Sequence, residues 1–130
     1  MKTYAFEQLH VWQEARSLNQ IIYRVTSALP DDERFGIQSQ MRRACVSVCS
    51  NIAEGTTRLS NKEKGRFYEM AFGSLIELLN QLILCYDLKW ITDKQYSDTR
   101  VHIDRTGRLL NALHMSTRRK HEKKLPDQTH

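Results

Sequence analysis

"MRRACVSVCSNIAEG", Met41 to Gly55, steps its apolar residues by three and four. Met41, Ala44, Val48 and Ile52, with Ile37 before them, fall on one side of a helix of 3.6 residues per turn, whereas a strand would alternate every second residue. Arg43, Ser47, Ser50 and Glu54 line up on the same wheel as a polar strip with Asn51 beside it, and Arg42 points elsewhere, toward Val46, Cys49 and Ala53. Two readings of the strip stay open. It is the solvated face of an ordinary bundle helix, or it is a contact face between subunits. In the second case the small residues Ala44, Ser47, Ser50 and Ala53 admit another helix while Arg42, Asn51 and Glu54 supply oriented polar contacts.

The same stepping recurs on both sides. Val11, Ala15, Leu18, Ile22, Val25 and Leu29 predict a first helix within Phe6–Leu29, and Pro30 in "LPDDER" stops it. Ser60 with Glu63 three residues on reads as a capping box opening a third helix that runs to about Lys89. Thr92 with Gln95 repeats the device, and Tyr96, Thr99, Ile103, Thr106, Leu110 and Leu113 carry a fourth helix to about Thr117. Four helices joined by short links predict an all-α fold: an up-down-up-down antiparallel four-helix bundle over residues 1–117, with 118–130 as a basic, disordered tail.

Composition agrees. The chain has 130 residues, enough for one core, and only two prolines and five glycines, too few turn signals for many short strands. No apolar run approaches the ~20 residues of a membrane span and the N-terminus lacks a signal-peptide stretch, so a cytoplasmic protein without a membrane partner is expected. Cys45, Cys49 and Cys85 sit in apolar segments and read as buried thiols.

Catalytic and metal chemistry find no complete set. A di-iron bundle needs Glu-x-x-His on two helices, and only Glu7 with His10 has that spacing. Cys45 and Cys49 lack the second ligand pair of a structural zinc. Neither an activated nucleophile nor a phosphate-binding glycine loop is present, so no enzyme and no cofactor are expected.

Two features remain. The third helix is apolar over more than half its circumference, with Phe72, Ile76, Leu79 and Ile83 spreading beyond the stripe that one bundle can bury, and this predicts self-association. The charge is +5 overall, and Ser116–His130 alone contributes a net +3. Arg58, Lys62, Lys64 and Arg66 crowd the second loop against Glu63 only, and Arg118, Arg119 and Lys120 head the tail. Together with Arg42, Arg43, Arg105 and Arg108 they are the candidate contacts to RNA or DNA phosphates. Trp12, Tyr23 and Tyr68 serve either packing or base stacking.

The segments "FEQLHVWQEARSLNQIIYRV", "DDERFGIQSQMRRACVSVCSNIAEG" and "KGRFYEMAFGSLIEL" resemble the four-helix-bundle proteins encoded by intervening sequences of 23S ribosomal RNA genes. The likeness runs from about Phe6 to Ile91. Its specific part is Glu33, Arg34, Phe35 and Gly36 with Arg42, Arg43 and Ser50 to Gly55. That family is similar in fold to the accessory variability proteins of diversity-generating retroelements. The resemblance implies a pentameric, nucleic-acid-binding accessory protein with a reverse transcriptase as partner; the alternative is a protein-interaction scaffold. One departure stands out: Cys49 occupies the place of the family's usual proline, which would kink the second helix, so a straighter helix is expected.

Overall fold

A computed structural model describes residues 1–124. After a 3-10 turn at Ala5–Gln8 come α1 (His10–Thr26), a 3-10 turn at Asp31–Glu33, α2 (Ile37–Gly55), α3 (Asn61–Asp87) and α4 (Asp93–Lys124), and no strand occurs among the described residues. Each helix packs on its neighbours in sequence and α1 closes against α4, which makes the order around the bundle the order along the chain. This is the expected four-helix arrangement, and α2 runs without interruption through Cys49.

The stepped positions form the core. Leu18, Ile22, Met41, Val48, Ile52, Leu78, Leu82 and Leu110 have no exposed surface, and burying each such side chain contributes about 1.5–3 kcal/mol. Thr26, Thr99, Thr106 and Thr117 sit in the same layers. Each hydroxyl donates to the carbonyl four residues back, at 2.6, 2.6, 2.8 and 3.0 Å, so none of these four hydroxyls is left bare. Phe67 is half-buried, and its ring carries the Arg58 guanidinium at 4.4 Å.

The ends of the helices follow local chemistry. Thr92 and Gln95 form the full reciprocal box, Thr92 N donating to Gln95 Oε1 at 2.8 Å and Gln95 N to Thr92 Oγ1 at 3.0 Å. Ser60 Oγ accepts from Glu63 N at 3.1 Å. At the end of α3 the chain turns through Lys89 at φ 62°, with Trp90 N donating to Cys85 O and Lys89 N to Tyr86 O, both at 3.0 Å. These two bonds are a Schellman closure with lysine where glycine is usual.

Two boundaries differ from expectation. The first helix begins as a separate 3-10 turn, because Glu7 turns its carboxylate back onto Tyr4 N at 2.8 Å. The fourth helix does not end near Thr117 but continues to Lys124, since Arg118 to Lys124 contains only residues that a helix tolerates well, with Arg118 and Glu122 paired at 3.6 Å across one turn. The rest of the expected tail, 125–130, lies outside the described residues.

Candidate nucleic-acid interface

α2 ends, α3 begins and α4 ends at one end of the bundle, and the extra turns of α4 change what is found there. They lay Arg118 and His121 beside Lys62 and Arg66 in a groove of about 330 Å³ that also takes in His114 and one acid, Glu69. Lys62 and Arg66 are exposed; Arg66 reaches Glu63 only at 3.8 Å, a separation and exposure at which an ion pair is worth ~0–1 kcal/mol. His114 Nε2 lies 3.6 Å from Glu69 Oε1. The positive end of the α3 dipole faces the same region. Arg119 and Lys120 stand exposed on the next faces of α4. Two of the expected cations have structural duties as well. Lys64 Nζ donates to Thr56 O at 3.1 Å at the end of α2, and Arg58 lies over Phe67 and 3.6 Å from Glu54.

Arg42 and Arg43 are at the opposite end of α2. Arg42 is tied into the fold: Nε donates to Thr26 Oγ1 at 2.9 Å, one terminal nitrogen donates to Tyr23 O and Ser27 Oγ at 3.2 Å, and the guanidinium lies 4.5 Å from the centre of the Tyr23 ring. Arg43 is exposed. Both line a second groove, of about 440 Å³, together with Tyr23, Arg34 and Phe35. Arg105 is paired with Glu14 at 3.6 Å, and His102 Nδ1 lies 2.9 Å from the same carboxylate oxygen. Arg108 lines a third groove, about 510 Å³, whose other wall is the apolar side of α3: Phe72, Leu75, Ile76 and Leu79. The expected cations therefore fall into two clusters, one at each end, with Arg105 and Arg108 between them.

The expected contact residues of α2 divide too. Ala44 is 4% exposed and belongs to the bundle core. Ser47 and Ser74 share a hydrogen bond at 2.9 Å and Asn51 Nδ2 donates to Ser47 O at 2.9 Å, so this part of the strip serves the α2–α3 seam. Ser50 and Glu54 face solvent and Ala53 is half-buried.

Burial raises the thiol pKa of Cys49 and of Cys85 to about 11 and lifts Cys45 further, with Cys49 adding to that rise. Thiols held neutral in this way are poor nucleophiles and poor ligands. Among the described residues no group of three His, Cys, Asp or Glu is placed to hold a metal ion, and no helix is long and apolar enough to cross a membrane.

His114 and His121 were not among the binding candidates that the sequence suggested. The signal was present: 114, 118 and 121 step by four and three, so one face of α4 carries them once the helix is allowed to continue.

The profile of the 23S rRNA-intervening sequence protein family matches residues 7–112, reaching well into α4 and past Ile91, where the resemblance in the sequence fades. A crystal structure of a protein of unknown function from the S23 ribosomal protein family, from Bacteroides thetaiotaomicron, superimposes with a TM-score of 0.74. The match is 20% identical and covers 79% of this chain and 96% of that one, a likeness of fold. No curated protein matches the chain.

Proposed function

The chain belongs to the 23S rRNA-intervening sequence protein family, and from that premise we propose that it is a cytoplasmic, non-enzymatic accessory protein that self-associates and binds RNA or DNA through its cationic ends. One observation carries the reading: α4 continues past Thr117 and sets Arg118 and His121 against Lys62 and Arg66, so that two separate basic stretches of sequence become one groove with a single acid. Cations held on helices neutralise phosphates without the ordering cost that a flexible tail bears. Self-association multiplies such a groove around an axis and sums its field. A reverse-transcriptase partner is the finer step, supported by the resemblance to accessory variability proteins; a reverse-transcriptase gene with a template repeat beside this gene would favour it.

The test is a titration with mixed-sequence RNA and duplex DNA at several salt concentrations, alongside an unrelated protein of equal charge. Affinity should fall steeply with salt and depend little on sequence, and Lys62→Glu with Arg66→Glu should lower the slope of log affinity against log salt by about one for each phosphate no longer engaged. Curves matching those of the control protein would reject the reading. They would leave the scaffold alternative, which the apolar side of α3, with Phe72 39% and Ile76 49% exposed, favours.

A further inference from the structure

We propose that the groove between the end of α1 and the start of α2 stacks an unpaired base, so that the protein prefers single-stranded nucleic acid to duplex. The inference rests on the nucleic-acid reading above and names the class of ligand within it.

The turn before α2 is built to hold two side chains outward. Glu33 Oε2 accepts from Ile37 N at 3.5 Å and so serves the first turn of α2. A Cβ at position 36 would stand 2.8 Å from that same oxygen and displace it, so Gly36 keeps the cap in place. The residues between, Arg34 and Phe35, are left at the tip. Phe35 is 91% exposed, with the Arg34 guanidinium 5.7 Å from its ring centre. The ring takes no part in the hydrophobic core. Across the groove lies Tyr23, 41% exposed and backed by Arg42, which its bonds to Thr26, Tyr23 and Ser27 hold in place. Arg43 completes the lining.

The groove thus offers two aromatic rings and three guanidinium groups. No acid lines it, Asp31 and Asp32 of the preceding turn included, and neither Arg34 nor Arg43 makes an ion pair among the described residues. Flat π faces beside unpaired cations fit a nucleotide: the ring accepts a base and the arginines accept its phosphates. An acidic peptide anchored by an apolar residue would want an aliphatic pocket, and Val46 is the one aliphatic side chain in the lining. In a duplex the base faces are already stacked on one another, so only unpaired bases reach the rings.

The experiment measures binding of the full chain, at low salt, to a short oligothymidylate, to an abasic strand of equal length and charge, and to a duplex. The intact protein should bind the thymidylate about fivefold or more tightly than the abasic strand, the lower end of what one stacked base is worth. Phe35→Ala, at a position that supports no part of the core, should remove that difference and leave abasic binding unchanged. Equal affinity of the intact protein for thymidylate and abasic strands, or a preference that survives Phe35→Ala, overturns the inference while leaving the general nucleic-acid reading standing. Failure to bind any strand overturns both. A change of mass in solution on Phe35→Ala, or displacement of the thymidylate by an equimolar glutamate–phenylalanine peptide, would assign the ring to a second copy or to a protein partner and equally overturn it.

Discussion

Arg42 shows how one side chain can be read two ways until its neighbours are placed. In sequence it is half of an Arg-Arg pair and a natural phosphate contact. In the fold its planar fork closes the end of α1, where Gln38 Nε2 also donates to Thr26 O at 2.8 Å. Replacing Arg42 with alanine removes charge-assisted bonds to groups near the last turn of α1, and at the upper range for such bonds this should cost about 2 kcal/mol. Urea unfolding at fixed protein concentration checks it. Arg42→Lys should recover less than half, because an ammonium cannot span Thr26, Tyr23 and Ser27 at once. An Arg42→Ala protein as stable as the parent would return the residue to the purely phosphate-binding set. The buried threonines were legible: Thr99 and Thr106 fall on the apolar stepping, and a hydroxyl that bonds its own helix can stay there. Arg42's role was not, since its partners lie 15 to 19 residues away in sequence. Nor was Lys89's left-handed turn, which carries no glycine to announce it.

At the scale of the element, helix starts were easier to read than helix ends. Both capping pairs seen in the sequence are made, Thr92 with Gln95 reciprocally and Ser60 with Glu63 by one bond. The end of α4 was obscured because a run of Arg, Lys and Glu suits an exposed helix as well as a solvated tail, and no proline or glycine separates Thr117 from Lys124. The difference bears on binding. A flexible tail would contribute less than the loop cations, since docking it costs conformational entropy. A helical continuation is already ordered, and Arg118 forms part of the groove wall. Truncation after Thr117 should therefore weaken nucleic-acid affinity at least as much as reversing Lys62 and Arg66, while far-ultraviolet circular dichroism loses only the signal of the removed turns. A truncated chain that binds within twofold of the full one would show that the added turns of α4 are not part of the interface.

At the scale of the whole molecule, the bundle buries one side of each helix, and two of the apolar patches it leaves exposed lie on different sides. One lies along α2, where Val46 is 42% exposed and Ala53 half-buried beneath it on the same face. The other is the α3–α4 groove, where Phe72 and Ile76 stand open above Leu75 and Leu79. Two unlike patches on unlike sides suit a head-to-tail contact, and such contacts close into rings when the rotation permits; an isologous dimer would need one patch that matches itself. The mass in solution should accordingly be a multiple of 15.3 kDa. If the contact is head-to-tail, a charge on either patch breaks it: Ala53→Glu alone and Ile76→Glu alone should each yield monomers, because an unpaired carboxylate buried in an interface costs several kcal/mol. Mixing the two variants should then restore at most pairs, since each retains one intact patch and only one combination of them can meet. Light scattering across a concentration series reads all three results. A concentration-independent monomer for the unmodified chain would remove the ring, and would leave the cationic ends to act one copy at a time.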